Sequence, residues 1–274
     1  MKKFTLCADD YGQNGAVSQA IIQLLERERL SAVSCMVTQP DWQVAAGELK
    51  RFQDRAEFGL HFNLTEGEPL SSALKQSHGF MSLPKLLLRA QFRYLNADAI
   101  QAELEAQIDA FSQAMGHLPH FIDGHQHIHQ FPVIRDALLA VYESRLQGSQ
   151  CYLRCTAESY QDCLRGPGRF KRIILQWSGA QAFKKALQAR RIPHNTSFSG
   201  VYDFAKAAYY ASFFPFFLRS ISDGGLILCH PGLAAASKSD PLYDARHYEL
   251  NYLASEQFVR DCQSQEVNLH EGSR

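Results

Sequence analysis

Short apolar segments alternate with amphipathic segments along most of this chain. The apolar segments are typical of buried β-strands, and the segments between them repeat apolar residues at the three- and four-residue spacing of a helix. Strands are predicted at residues 3–8, 31–37, 57–63, 120–124, 151–155, 192–198 and 226–229. Parallel strands need a crossover between them, so the alternation predicts an α/β fold in which helices cover a parallel sheet. About seven strands predict a barrel whose functional loops gather at the carboxyl ends of the strands.

Capping residues mark the ends of some of the predicted helices, and others are recognised by apolar spacing alone. Apolar residues at helical spacing follow Gly15, and another helix is predicted up to residue 51. The clearest helix has Asp98 as its predicted amino-terminal cap and Gly116 at its carboxyl end. Residues 64–96 show no clean period and predict a long loop with short helices, and loops of that length are usually functional. Further helices are predicted at residues 133–146, 181–190, 205–221 and 256–265.

Composition favours one globular domain that spans residues 1–274. Hydrophobic residues make up 46% of the chain and charged residues 20%, which supplies enough apolar surface for a substantial core. The 28 basic and 28 acidic residues balance, so no overall field attracts nucleic acid or a membrane surface. A small neutral or polar substrate is therefore expected as the partner.

The distribution of apolar residues and cysteines predicts a cytoplasmic protein. The apolar stretch at residues 4–8 is too short for a signal peptide, and no stretch approaches the ~20 apolar residues of a membrane span. The seven cysteines are odd in number, and several fall in predicted strands. They are interpreted as reduced core thiols rather than as a disulfide framework.

Two adjacent acids, Asp9 and Asp10, follow the first predicted strand. Neighbouring side chains of a strand point to opposite faces, so both acids can address one centre only if the chain turns there, as Gly12 permits. Two adjacent carboxylates repel each other, and a metal ion would relieve the repulsion. A structural interpretation is also open, in which one aspartate caps the helix near Gly15 and the other is solvated.

Histidines follow two further predicted strands. His61 alternates with apolar residues, so a strand buried by its apolar side would offer His61 to the other side. The next strand ends in Asp123 and is followed by His125, His127 and His129 at alternate positions. Carboxylate and imidazole together suit zinc and other divalent ions, so a metal site is predicted here. An exposed histidine-rich loop is the alternative, and it leaves the ligand-type residues at other strand ends unexplained.

Two more strand ends carry residues of catalytic type. His230 follows the strand at residues 226–229 and precedes a restrictive Pro-Gly turn, which makes it a candidate general acid. An ordinary loop histidine is the alternative. Arg154, near the end of the strand at residues 151–155, is a candidate for orienting an acidic partner, and a salt bridge elsewhere is the alternative for it.

An aromatic cluster lies within the predicted helix at residues 205–221. It comprises Tyr209, Tyr210, Phe213, Phe214, Phe216 and Phe217. Sugar stacking and a subunit interface are two roles that such a cluster can have. An apolar helix packed in the core is the preferred interpretation.

Four motifs taken together resemble the YdjC-like family of carbohydrate deacetylases. The motifs are Ala8-Asp9-Asp10-Tyr11-Gly12, Gly59-Leu60-His61-Phe62-Asn63-Leu64-Thr65-Glu66-Gly67, Asp123-Gly124-His125-Gln126-His127-Ile128-His129 and His230-Pro231-Gly232. They occur in the family's order within a resemblance that runs from residue 3 to about residue 265. Within the family the chain is most similar to chitin disaccharide deacetylases, which remove an acetyl group from N,N′-diacetylchitobiose and related chitooligosaccharides. The resemblance therefore implies a hydrolase with a small oligosaccharide substrate.

The same resemblance implies a fold and a set of metal ligands. It implies a deformed (β/α) barrel in which an aspartate and two histidines hold a divalent ion, Mg²⁺ or Zn²⁺. Carried over to this chain, Asp10, His61 and His125 would bind the ion. His127 and His129 stay open as alternatives to His125. The resemblance also favours a homodimer.

Amide hydrolysis sets chemical requirements that these residues can meet. It needs an activated water, a stabilised oxyanion and a proton for the departing nitrogen, and a metal ion supplies the first two. The resemblance implies that Asp9 is the base, and His230 as imidazolium would protonate the leaving amine. Two alternatives are open, namely a hydrolase of another amide or ester of a small carbohydrate, and a sugar-binding barrel without turnover.

Overall fold

The computed structural model describes residues 1–234 and 240–270 of the chain. Within these residues, eight parallel strands form one sheet. The strands are β1 (Lys2–Tyr11), β2 (Ala32–Cys35), β3 (Glu57–Phe62), β4 (Phe121–Gly124), β5 (Tyr152–Leu153), β6 (Phe198–Ser199), β7 (Gly225–Cys229) and β8 (Val267–Leu269). Their order is β5-β4-β3-β2-β1-β7-β6, and the short β8 pairs with the start of β1. The sheet curls into a half-barrel, which confirms the predicted deformed (β/α) barrel with its seven main strands.

In the described part of the chain, twelve α-helices connect and cover these strands. The helices are α1 (Gly15–Glu26), α2 (Trp42–Leu49), α3 (Ser72–Ser77), α4 (Leu83–Gln91), α5 (Ala97–Met115), α6 (Ile134–Val141), α7 (Tyr160–Cys163), α8 (Arg169–Leu175), α9 (Gln181–Arg190), α10 (Tyr210–Ser220), α11 (Tyr243–Leu253) and α12 (Glu256–Ser264). Asn96 caps α5 by accepting from the Ala99 nitrogen. It takes the position predicted for Asp98, which lies in the first turn instead. Gly116 ends α5 with a left-handed φ of 89°, as predicted.

The interior of the protein contains two clusters of buried apolar residues. The larger cluster lies between the sheet and the helices, and it includes Phe58 and Leu60 of β3. The smaller cluster consists of Cys7, Ala32, Phe121, Leu175, Phe198, Leu226 and Leu228. Gly59 faces this smaller cluster, because a Cβ at that position would collide with the Phe121 ring. His61 is two residues further along β3 and therefore points to the same side, inside the curl of the sheet.

The sheet is open between β5 and β6, which are shorter than predicted. They cover two residues each, against predictions of 151–155 and 192–198. Asn195 bridges the opening: its amide nitrogen donates to the Cys155 carbonyl, and its amide oxygen accepts from the Cys155 backbone nitrogen. A side chain thus satisfies backbone groups that a longer strand would have paired.

Further expectations concern the cysteines, the aromatic cluster, membrane-spanning helices and the number of domains. All seven cysteines are free thiols, as predicted. Tyr210, Phe214 and Phe217 are buried while Tyr209 is exposed, so the core interpretation is confirmed for one face of the aromatic cluster. Among the residues that the structure describes, no helix is both long and apolar enough to cross a membrane. The single domain over residues 1–274 stays a prediction.

Candidate metal centre

The strand ends on one side of the sheet open onto a central cavity of about 420 Å³. Five side chains predicted from the sequence to carry chemistry line it, namely Asp9, Asp10, His61, His125 and His230. Leu83 and Leu87 of α4 line another wall. The predicted long loop at residues 64–96 therefore contributes to the cavity through one of its short helices.

A bulge at the end of β1 places both aspartates in this cavity. β1 and β2 pair regularly up to Ala8, and β1 then accommodates one extra residue before pairing resumes at Tyr11. Asp10 makes the change of direction with a left-handed φ of 70°, a conformation that aspartate adopts more readily than most residues. The predicted turn therefore occurs at Asp10 as well as at Gly12. The capping alternative is wrong, because Asn14 caps α1.

Asp10, His61 and His125 converge on one point. Asp10 Oδ1 lies 3.3 Å from His61 Nε2 and 3.0 Å from His125 Nδ1. The three ligand-type atoms lie within 4.8 Å of one another, and all three residues are buried. One carboxylate oxygen and two imidazole nitrogens around one point form a donor set that fits a divalent ion.

Asp123 orients His61 from behind. The His61 Nδ1–H donates to Asp123 Oδ1 at 2.6 Å, and the Ser34 hydroxyl donates to the same oxygen. A carboxylate on the far nitrogen decides which nitrogen a ligand histidine presents to a metal, and here it leaves Nε2 facing Asp10. Burial opposes a charge on the ring, but Asp123 and Asp10 outweigh it and raise the pKa of His61 to about 10.

Glu66 orients His125 in the same way. The His125 Nε2–H donates to Glu66 Oε1 at 2.9 Å, which leaves Nδ1 facing Asp10. Burial lowers the pKa of His125, but hydrogen bonds to Asp10 and Glu66 outweigh burial and raise it above the ordinary value. The sequence motif around His61 contained Glu66, but no role was predicted for it.

The other two histidines that follow β4 do not join this group. The backbone at Gln126 and His127 is left-handed, with φ of 57° and 59°, and it redirects the side chains that follow. His129 Nε2 donates to the Arg154 carbonyl oxygen at 3.0 Å, and its ring packs edge-on against another aromatic ring. His127 lines the cavity wall. The geometry therefore brings His125, of the three histidines, to Asp10.

Arg154 holds Asp9 in place. Its two terminal nitrogens donate to the two Asp9 carboxylate oxygens at 2.7 Å each, and Nη2 also lies 2.5 Å from Asp123 Oδ2. The predicted acidic partner of Arg154 is thus present. Cys7, Asp9 and Asp123 form a second group that could hold a metal ion, but the guanidinium lies among them, 2.9 Å from Cys7 Sγ. A positive charge therefore occupies this position already.

His230 follows β7 and is supported by Glu249. The His230 backbone nitrogen donates to one Glu249 oxygen at 2.5 Å, and the Tyr202 hydroxyl donates to the other at 2.7 Å. The His230 ring stands edge-on to Phe204, with 5.6 Å between ring centroids. Burial lowers the pKa of His230 to about 4 and raises the pKa of Glu249 to about 7. His230 is therefore neutral at pH 7 before any ligand binds.

Arg246 of α11 is a site residue that the sequence did not reveal. Its Nη2 donates to Asp10 Oδ2 at 2.8 Å. Burial opposes ionisation of Asp10, but Arg246 and His125 outweigh burial and hold the pKa of Asp10 well below its usual range. Asp10 thus presents Oδ1 to the histidines while Arg246 engages Oδ2. Glu249 lies one turn further along α11, so one helix supports both Asp10 and His230.

Known proteins resemble this chain in sequence. A model of the YdjC-like protein family matches residues 3–264. The carbohydrate deacetylase of Mus musculus is 30% identical over 201 residues, which cover 65% of this chain and 64% of that protein. The chitooligosaccharide deacetylase of Serratia marcescens is 34% identical over 129 residues, which cover 46% of this chain and 50% of that protein. Each match spans less than two thirds of the curated relative's own length.

Solved structures share the fold at low sequence identity. A candidate cellobiose-phosphate cleavage protein of Enterococcus faecalis V583 is 18% identical, with a TM-score of 0.75 and coverage of 98% of this chain and 97% of that chain. A peptidoglycan N-acetylglucosamine deacetylase is 10% identical, with a TM-score of 0.52 and coverage of 98% and 85%. The predicted family is confirmed by the match over nearly the whole sequence. The chain, with its half-barrel and its ligand-type residues at the strand ends, belongs to the YdjC-like protein family.

Proposed function

We propose that the protein is a metal-dependent carbohydrate deacetylase that removes an N-acetyl group from small chitooligosaccharides such as N,N′-diacetylchitobiose and releases acetate. The observation that carries the proposal is the convergence of Asp10, His61 and His125 beside an Asp9 held by Arg154. The names of the curated relatives support the class of substrate and the bond that is broken.

Asp10, His61 and His125 are proposed to hold the ion, either Mg²⁺ or Zn²⁺. A divalent ion there supplies Lewis acidity, which lowers the pKa of water and polarises an acetyl carbonyl. Two nitrogen donors favour Zn²⁺, because Mg²⁺ prefers oxygen ligands. A set of three protein ligands is typical of catalytic zinc sites, whereas structural sites use four.

Asp9 is proposed as the general base. Both of its oxygens are fixed by Arg154, and its carboxylate lines the cavity. A carboxylate has about four lone-pair positions. The two hydrogen bonds from Arg154 therefore leave room for Asp9 to accept a proton from a water molecule that attacks the acetyl group.

His230 is proposed as the general acid. The amine of an amide is a poor leaving group until it is protonated, so the acid must deliver its proton as the bond breaks. Burial lowers the pKa of His230 to about 4, which makes the protonated ring a stronger acid than an ordinary imidazolium. Its resting form is neutral, so His230 must receive a proton within the reaction cycle. In the proposed cycle the proton that Asp9 would take from the attacking water passes to His230 across the cavity that both residues line, and from His230 to the departing amine, so that both groups return to their starting forms.

The lining of the cavity suits a small saccharide. Its volume of about 420 Å³ falls within the usual range for small-ligand sites, ~300–1,000 Å³. Leu83, Leu87 and Phe131 offer apolar contacts to the C–H faces of a sugar ring, while Lys171 offers a hydrogen-bond donor to its hydroxyls.

Mass spectrometry of N,N′-diacetylchitobiose incubated with ion-free protein tests this proposal. We expect loss of one acetyl group and release of acetate when Zn²⁺ or Mg²⁺ is added, and no reaction when a chelator is present. The Asp10→Ala protein serves as the control and should stay inactive with either ion. Intact disaccharide after incubation with both ions contradicts the proposed substrate, and turnover in the presence of chelator contradicts the proposed metal.

A homodimer is proposed as the assembly. Phe170, Ile174 and Trp177 lie at helical spacing on α8 and the turn after it, and their exposed fractions are 75%, 46% and 76%. Large apolar side chains exposed together are typical of protein interfaces. Sedimentation equilibrium should give the mass of two chains, and Trp177→Glu should reduce it to the mass of one. A single-chain mass for the unaltered protein contradicts the dimer.

A further inference from the structure

We infer that Gln13 positions two ligands of the metal site at once, an inference that rests on the metal site of the proposed function. Gln13 follows the bulge at the end of β1 and lines the central cavity. Its amide nitrogen donates to Glu66 Oε2 at 2.9 Å, and its amide oxygen accepts from Arg246 Nη2 at 2.7 Å. Gln13 therefore joins two groups that each hold a different ligand.

These contacts close a ring of five side chains. Arg246 Nη2 also donates to Asp10 Oδ2 at 2.8 Å, and Glu66 Oε1 accepts from His125 Nε2 at 2.9 Å. The ring closes where Asp10 Oδ1 lies 3.0 Å from His125 Nδ1. Arg246 and Glu66 thus hold Asp10 and His125 through the atoms that face away from the proposed ion. Gln13 links Arg246 to Glu66.

The amide side chain of Gln13 matches both neighbours of residue 13. The Arg246 guanidinium can only donate, and the Glu66 carboxylate can only accept. The residue between them must accept at one end and donate at the other. A glutamate would oppose the carboxylate of Glu66 with a second one, and a lysine would turn a donor toward the guanidinium. Methionine keeps the length of the side chain and removes both hydrogen bonds.

Gln13→Met therefore tests the positioning of the metal ligands without changing any charge in the site. It leaves the three ligands and every charge of the site in place, so the electrostatic attraction for an ion is unchanged. Loss of a hydrogen bond made directly to a metal ligand weakens metal affinity by about 10- to 100-fold. Gln13 lies one contact further out, behind Glu66 and Arg246, so we expect a loss at the lower end of that range, about 10-fold, for Zn²⁺.

A second variant tests whether Gln13 acts through the ring. Glu66→Gln removes the charge that both His125 and Gln13 contact, so it should also weaken Zn²⁺ binding. Residues of one network give non-additive effects. Because both substitutions break the same ring, the double variant Gln13→Met/Glu66→Gln should bind Zn²⁺ little more weakly than Glu66→Gln alone. Independent, multiplying losses contradict the coupling of the two ligands through Gln13.

Calorimetric titration of ion-free protein with Zn²⁺ measures these affinities, and thermal unfolding of the same ion-free samples reports stability. Gln19→Met, at an exposed glutamine of α1 outside the cavity, is the matched control and should bind Zn²⁺ like the unaltered protein. Equal Zn²⁺ affinity of Gln13→Met and the unaltered protein overturns the inference and leaves the metal site standing. A lower unfolding temperature of Gln13→Met with unchanged affinity overturns it too, because that result reports packing alone. An unaltered protein that binds no ion overturns the site and the inference together.

Discussion

Arg154 donates to both carboxylate oxygens of Asp9 at 2.7 Å, and both residues are buried. The same guanidinium reaches Asp123, the carboxylate behind His61. Removing one partner of a buried ion pair leaves an uncompensated charge, and that costs far more than loss of an exposed pair. The proposed base and the support of one proposed ligand therefore depend on a single side chain.

Arg154→Met should destabilise the fold by about 3–5 kcal/mol, the usual cost of leaving a buried charge without its partner. Unfolding in urea measures the change in the free energy of unfolding. Arg93→Met is the control, because Arg93 pairs with Asp136 at the surface with 63% of its side chain exposed. It should change stability by about 1 kcal/mol or less. Equal effects of the two substitutions contradict the importance of the buried pair.

Asp9→Asn should reduce deacetylation while leaving Zn²⁺ affinity largely intact. A positioned general base contributes about 10²- to 10⁴-fold to the rate, and Asp9 lies outside the group formed by Asp10, His61 and His125. Asp10→Ala should instead abolish Zn²⁺ binding. Steady-state rates and calorimetric titration of both variants separate the two roles. An Asp9→Asn protein with unaltered turnover rules out Asp9 as the base.

The ion-free protein should lose stability as the pH rises from 7 toward 10. The pKa of His61 is raised to about 10 in the fold, above the ordinary value of about 6.5. The charged ring therefore stabilises the fold fully below that ordinary value, and this contribution is lost as the pH passes through 10. Thermal unfolding across this range measures the loss. A His61→Gln protein should show a shallower dependence, and identical slopes contradict the assignment to His61.

Binding of an ion should release a proton from His61, since a ligand histidine must be neutral. The raised pKa means that the ring carries a proton at pH 7 before the ion binds. Zn²⁺ affinity should therefore increase between pH 6 and pH 8. Calorimetric titration in two buffers of different ionisation enthalpy counts the released protons. A count of zero at pH 7 contradicts a protonated His61.

Tyr202→Phe should lower the turnover number more than it changes KM. The hydroxyl of Tyr202 donates to Glu249, which in turn accepts from the backbone nitrogen of His230. Loss of this hydrogen bond should cost about 1–3 kcal/mol of stability and loosen the support of the proposed acid. Tyr94→Phe, at a residue that is 75% exposed, is the control and should leave both quantities unchanged. A change in stability without a change in turnover limits Tyr202 to a structural role.

The grouping of Asp9, Asp10, His61 and His125 was predictable because each follows or ends a buried strand. The carboxyl ends of parallel strands meet at one edge of the sheet, so strand-end residues that are far apart in sequence become neighbours. The bulge at Asp10 was only partly predictable. Two adjacent acids indicated that the chain turns there. The residue types around Asp10, however, do not indicate that its own φ is left-handed.

The supports of the site were not predictable in the same way. Arg246 and Glu249 lie on α11, where buried polar residues interrupt the apolar spacing by which a helix is recognised. Arg246 is 236 residues from Asp10, so no local pattern connects them. Glu66 stands in a long loop whose path over the sheet depends on tertiary packing. A buried polar side chain looks like a surface residue in sequence until its partner is known.

The extra residue in β1 is not needed for the pairing of the sheet, but it is needed for the proposed chemistry. Removal of Asp9 by deletion should let β1 and β2 pair without a break and should relieve a left-handed backbone that costs on the order of 1–3 kcal/mol. Only one carboxylate would then remain at the strand end, and Arg154 would keep Asp123 as its one acidic partner. The deletion would thus make the sheet more regular and remove one of the two carboxylates from the site. The one extra residue in β1 is therefore what allows this half-barrel to present both a proposed metal ligand and a proposed base.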